Sequence, residues 1–126
     1  MKVADLLARI LLGVVFLVFG LNGFVHFIPG TLPSGLAGQF LTALVESHYD
    51  FFVSAVQLVG GVLLLVNRYV PLGLTFLGPV IVNIILYHLL LDRTGLPIAI
   101  IVLIFWGILA FRRRQYFAGL FVQRTS

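Results

Sequence analysis

Apolar residues run through this chain in four long blocks, each closed by a short cluster of Pro, Gly, Asn or charged residues. The first block, residues 6–28, is interrupted only by Arg9, Asn22 and His26. At about 1.5 Å of rise per residue it is long enough for a hydrocarbon core roughly 30 Å thick. A signal peptide has a shorter apolar stretch and a small-residue cleavage site, whereas this block ends in His26-Phe27-Ile28-Pro29, so a retained first helix is expected. Pro29, Gly30, Pro33, Ser34 and Gly35 then break the pattern. Over residues 36–48 it turns amphipathic: Phe40, Leu41, Leu44 and Val45 share one face, and Gln39, Thr42 and Glu46 another. That division predicts a helix lying in the plane of the membrane interface.

Further spans are expected at residues 51–66, 71–91 and 97–111, joined by Asn67-Arg68-Tyr69 and Asp92-Arg93-Thr94-Gly95. Pro71 and Pro97 open the third and fourth spans, where a missing N–H costs nothing. Pro79 interrupts the third and frees a carbonyl that a neighbour must satisfy. Short turns force the second, third and fourth spans into consecutive antiparallel contact. The predicted fold class is all-α: one domain, residues 1–126, built as an integral membrane bundle of four transmembrane helices. An amphipathic interfacial helix is placed between the first and second.

Composition changes the picture in one respect, the solvent. Hydrophobic residues make up 61% of the chain, charged residues 10%, and the mean hydropathy is +1.17. A soluble domain carries about 25% charged residues, so the partner for most of this surface is the lipid bilayer. The net charge of +4 does not point to nucleic acid, because the basic residues sit at helix ends. Lys2, Arg9, Arg68, Arg112, Arg113, Arg114 and Arg124 fall on one side and Arg93 on the other, which predicts cytoplasmic N- and C-termini. Glu46, Asp50, Asp92 and all three histidines, His26, His48 and His88, lie toward the opposite side. The absence of cysteine excludes thiolate chemistry, Cys-ligated zinc and iron–sulfur clusters.

Candidate chemistry gathers in the outer half of the expected bundle. Counted inward from the span ends, Asn22, Gln57 and Asn83 share a level roughly 9–12 Å deep. His26 and Tyr87 lie one turn above Asn22 and Asn83, with His88 at a similar height. Unpaired amides in hydrocarbon are unfavourable by several kcal/mol, so these side chains should face each other or a cavity. Two readings stand: interhelical hydrogen-bond glue, or a ligand pocket whose amides and histidines hold a quinone ring. His26 and His88 also raise a haem or metal site, but no metal centre is expected, because His88 is turned about 140° from Asn83 around the helix. The absence of a membrane-buried acid argues against a proton-coupled transporter. Gln57, Gly60, Gly61 and Leu64 form one stripe on which a second backbone can approach closely.

Arg9 has Asp5 four residues before it, the spacing of a helical ion pair, with a tie to the Asn67-Arg68 turn as the alternative. Arg112, Arg113 and Arg114, followed by Tyr116 and Phe117, read as an anchor for anionic lipid.

Ala8-Arg9-Ile10-Leu11-Leu12-Gly13 leading to Phe19-Gly20-Leu21-Asn22-Gly23, then Gln57-Leu58-Val59-Gly60-Gly61 and Asn67-Arg68, resembles the DoxX family of small bacterial membrane proteins. The resemblance covers nearly the whole chain through short motifs. It implies a four-helix bundle in the bacterial cytoplasmic (inner) membrane, acting as a subunit of redox or quinone-linked systems. Gln57 stands where many relatives carry an acid, which removes that carboxylate from any chemistry here. Three functions are carried forward: a redox-associated accessory subunit with a polar ligand pocket, a non-catalytic assembly or chaperone-like partner of a membrane or periplasmic protein, and, the least favoured, a haem or metal protein using His26 and His88. Neither the oligomeric state nor a catalytic role follows from the residues.

Overall fold

The computed structural model describes residues 2–25 and 32–125. Five α-helices follow in order: α1 (Lys2–Val25), α2 (Gly35–Glu46), α3 (Tyr49–Val66), α4 (Val70–Leu90) and α5 (Leu96–Arg112). A 3-10 turn at Arg93–Gly95 precedes α5, and a 3-10 helix at Arg114–Phe121 follows it. No strand occurs among the described residues. Four helical segments are long and apolar enough to cross a membrane: Lys2–Val25, Tyr49–Val66, Val70–Leu90 and Arg93–Arg112. The expected second helix is present, and α1 begins four residues earlier than the pattern indicated because Lys2 to Asp5 extend it by a turn.

The long helices form a ring in which α1 packs on α3, α3 on α4, α4 on α5 and α5 back on α1. Sharp turns impose this order. Asn67 and Tyr69 both adopt left-handed backbone, at φ 57° and 55°, so the chain reverses between α3 and α4 within three residues. Asn tolerates that region readily, whereas a Tyr there is uncommon. At the other end His48, also left-handed at φ 63°, turns α2 into α3, and its ring stacks on Phe51 at 5.2 Å.

The tightest seam joins α1 to α3 and depends on glycine. A Cβ on Gly61 would sit 2.8 Å from the Leu17 nitrogen and 2.9 Å from the Gly13 oxygen. One on Gly20 would sit 2.8 Å from the Leu58 nitrogen. Backbone meets backbone at both points, so only glycine fits. The adjacent Gly60 turns the other way and receives the Leu77 side chain of α4. The glycine pair thus serves two neighbours rather than one stripe.

The buried apolar cluster draws Ala8, Leu12 and Phe16 from α1, Leu64 from α3, Val70 to Ile81 from α4, and Val102 and Leu109 from α5. Most of these positions lie toward the end of the bundle that carries the chain termini, with Ile81 and Val102 just beyond mid-helix. Trp106 closes this core from the side, and its indole Nε1 donates to the Leu74 carbonyl at 2.9 Å. Pro79 has no N–H for the Thr75 carbonyl four residues before it, so the indole bond falls on the residue next to the freed carbonyl rather than on that carbonyl itself.

Polar side chains lock the terminal end, in a pairing different from the one expected. Arg9 does not bridge to Asp5. It crosses to α3 and donates from Nη1 to the Leu64 carbonyl at 2.6 Å and the Leu65 carbonyl at 3.3 Å. A helix C-terminus leaves its last carbonyls unpaired and carries partial negative charge, so it outcompetes a local carboxylate for the guanidinium. Asp5 is engaged instead by Arg113, through two bonds of 2.7 and 3.0 Å, with Arg112 at 3.3 Å. The start of α1 is thereby clamped to the end of α5. Two of the three expected lipid-anchoring arginines are thus occupied within the protein. Arg114 alone is left outside this clamp, stacked over the Phe111 ring at 4.4 Å.

Candidate functional site

Beyond mid-helix the buried cluster thins, and Val56, Ile84 and Ile85 continue it as partly buried residues. Ser54 is buried there against α1, and Gly20 and Gly23 of α1 pass directly over it. This is the half in which the sequence places its candidate layer.

Helix register sorts that layer. Gly20 rests on Ser54 and Leu58, so Asn22, two residues on, lies near the level of Ser54. Leu77 rests on Gly60, and counting six residues along each antiparallel helix sets Asn83 level with Ser54 as well. Gln57 is three residues further from that end, roughly 4.5 Å deeper. Asn22 and Gln57 are half-buried, and Asn22 is engaged in a polar contact. Gln57 forms no hydrogen bond with the described residues.

Asn83 is not brought to the other two. It is exposed, on an outward stripe of α4 with Phe76, Pro79, Leu86 and Leu90, while Leu77, Val80 and Ile81 face inward. Like Gln57, it has no hydrogen bond with the described residues. The spacing of that stripe, three and four residues in alternation, is that of one helix face. An amide sits at its centre, roughly 10 Å from the end of the helix at Leu90.

Tyr87 and His88 do come together. Their rings meet edge to face at 5.0 Å, and Phe40 of α2 lies 5.9 Å from Tyr87. His88 Nδ1 is 2.9 Å from the Asp92 carbonyl oxygen. A carbonyl can only accept, so Nδ1 carries the proton and Nε2 presents a lone pair in the neutral ring. Gly95 is part of this seat, because a Cβ there would overlap the His88 ring. The Asp92 side chain caps the 3-10 turn, accepting from the Thr94 hydroxyl at 2.7 Å and the Thr94 amide at 3.1 Å. Those two bonds hold its carboxyl below the ordinary carboxylate range. His26 lies outside the described residues.

A further polar atom lies nearby that the sequence did not single out. Asp50 Oδ1, in the first turn of α3, is buried with no hydrogen-bond partner among the described residues. Phe24 of α1 stacks on Phe51 beside it, with ring centroids 5.4 Å apart. Among the described residues, no three His, Asp or Glu side chains converge on a point that could hold a metal ion.

Two surface hollows lie away from this layer. One, about 580 Å³, follows the polar face of α2 past Gln39, Thr42 and Glu46. The other, about 470 Å³, is an apolar groove at the terminal end between α4, α5 and the C-terminal 3-10 helix. Compared with known proteins, the chain matches no family model, no curated protein and no solved structure.

Proposed function

We propose that the protein is an accessory, non-catalytic subunit of a membrane assembly, docked to its partner through the outward face of α4. Asn83 carries this reading. An amide exposed on an otherwise apolar helix face, at a depth where lipid tails surround it, has no water to bond. A polar group on a neighbouring transmembrane segment satisfies it, and interhelical amide bonds of this kind are a recurrent adhesive between membrane helices. The basic residues favour a topology with both termini cytoplasmic and α2 on the outer membrane surface. The resemblance to DoxX proteins directs the search for a partner to redox and quinone-linked systems of the bacterial cytoplasmic membrane.

The test is Asn83→Leu in the native membrane, followed by purification in mild detergent. Docking through Asn83 requires a specific membrane protein to accompany the wild-type chain and to be lost from the variant, with the variant bundle still folded. Recovery of the wild-type bundle alone counts against it.

A second reading, a quinone site, is favoured by one cluster. Tyr87, His88 and Phe40 offer an aromatic wall with a ring nitrogen, and the Gln57 amide lacks a partner among the described residues. A carbonyl-bearing ring suits neutral donors of this type. Mass spectrometry of the solvent extract tests it: a stoichiometric quinone that disappears in Gln57→Leu supports the site, and an extract holding only bulk lipid removes it. An absorption spectrum of the same sample distinguishes haem by its Soret band.

A further inference from the structure

The groove at the terminal end shares Pro79 with the outward stripe of α4, but Trp106, Phe111 and Arg114 serve neither docking through Asn83 nor a quinone site. Its floor is formed by Gly78 and Pro79 of α4 and by Trp106 of α5, and Phe117 of the C-terminal 3-10 helix covers one side. Gly78 makes room for the indole, whose Cζ2 lies 3.4 Å from where a Cβ would stand. The walls are almost wholly carbon, and the groove is open toward the surface that faces lipid. From Trp106 to Arg114 is eight residues along the chain, roughly 12 Å at helical rise. The groove therefore runs from the membrane interface into the hydrocarbon, as the upper part of an acyl chain does.

Its mouth is positively charged, and the charge is unspent. Asp5 occupies Arg112 and Arg113, but no carboxylate among the described residues pairs with Arg114. Arg114 is nevertheless held in place: Nη1 donates to the Phe111 carbonyl at 2.9 Å, and Cζ lies over the Phe111 ring, 4.4 Å from its centroid. Phe111 and Arg114 both line the groove. Of the five guanidinium N–H donors one is thus used, and the other four make no bond to the described residues.

We propose that this groove is a binding site for one anionic phospholipid, with an acyl chain laid against Trp106 and Pro79 and the phosphate held by Arg114. An apolar channel closed by a single oriented, unneutralised cation is complementary to an amphiphile with a negative head. It gives no advantage to a zwitterionic lipid, whose own cation opposes Arg114.

Trp106 is the chain's one tryptophan and reports on its own groove. The full-length protein is reconstituted in phosphatidylcholine vesicles, and its fluorescence is quenched with brominated phosphatidylglycerol or brominated phosphatidylcholine at equal mole fraction. The expected preference is roughly fivefold for the anionic lipid, the effect of one arginine at an anionic surface. Arg114→Gln brings that ratio to about one while quenching by brominated phosphatidylcholine is unchanged, which also shows the groove intact. Gly78→Leu, which fills the floor, reduces quenching by both lipids. Equal quenching of the wild type by the two lipids, or a preference that survives Arg114→Gln, overturns the site. So does a Trp106 shielded from both lipids in a protein that runs as a dimer, since a second copy then covers the groove.

Discussion

Arg9 of α1 donates to the Leu64 carbonyl of α3 at 2.6 Å, and in doing so ties the tightest helix seam to the end of the helix it packs against. The Leu64 carbonyl has only a long bond of 3.4 Å from the Asn67 amide, so the guanidinium strengthens the end of the helix as a cap supplied from another helix. Arg9→Met keeps the apolar stem and removes the donors. It should lower unfolding stability by about 1.5–3 kcal/mol, with Arg9→Lys intermediate, read by denaturant unfolding in detergent micelles. A loss below about 0.5 kcal/mol would show that the charge simply reaches for the interface.

Three helical glycines, Gly61 in the α1–α3 seam, Gly60 facing α4 and Gly107 of α5, make a graded series. Gly61→Ala drives a Cβ into the backbone of Leu17 and Gly13, which cannot yield without separating the helices, so a loss of about 1–3 kcal/mol is expected. Gly60→Ala meets the Leu77 side chain, which can rotate, and should be milder. At Gly107 nothing lies within 4 Å, and Gly107→Ala should gain up to about 1 kcal/mol from helix propensity. Melting temperatures of the three variants, compared in one detergent, check the order.

Trp106→Phe retains most of the ring but loses the bond to the Leu74 carbonyl beside Pro79. A cost of about 0.5–1.5 kcal/mol is expected, the net worth of one hydrogen bond, because the Leu74 carbonyl keeps the Gly78 amide of its own helix. Pro79→Ala restores an N–H to the Thr75 carbonyl and not to Leu74, so its effect and that of Trp106→Phe should add. A double-mutant cycle measures any coupling.

Asp92 has its carboxyl pulled below the ordinary value by the Thr94 hydroxyl and amide. A carboxylate whose folded pKa is lowered contributes stability that is present above its unfolded value, about 3.9, and is lost as pH falls through the lower folded value. The 3-10 turn should therefore hold at pH 5 and loosen only below the ordinary carboxylate range. Thr94→Val removes the stronger of the two bonds and should move the Asp92 titration upward, as followed by carboxyl carbon NMR.

How much of this was legible in the residues depended on how local the deciding interaction is. The four long helices follow from unbroken apolar runs and their Pro, Gly and Asn boundaries, and Asn67 in particular marks a turn by its tolerance of left-handed backbone. The carbonyl freed by Pro79 was also readable, though not that Trp106, 27 residues later, would bond its neighbour Leu74 instead. Arg9 was harder: sequence offers the carboxylate four residues away, while the carbonyls of Leu64 exist as acceptors only once α3 ends beside it. Asn83 was hardest. Helix α4 is apolar on every side, so periodicity gives its faces no phase, and only packing decides that Leu77 turns inward and Asn83 outward. The assumption that intramembrane amides point at one another thus held no information about which way this helix was rotated.

That rotation is where docking through α4 can be tested most directly. A photo-crosslinking amino acid placed at the exposed Leu86, on the same face as Asn83 and leaving that amide intact, and a control placed at the exposed Ile104 of α5, are activated in intact native membranes. Docking through α4 predicts one discrete protein adduct from position 86 and only lipid adducts from position 104. Lipid adducts alone from both positions would contradict it, and would mean that Asn83 faces the bilayer unaided.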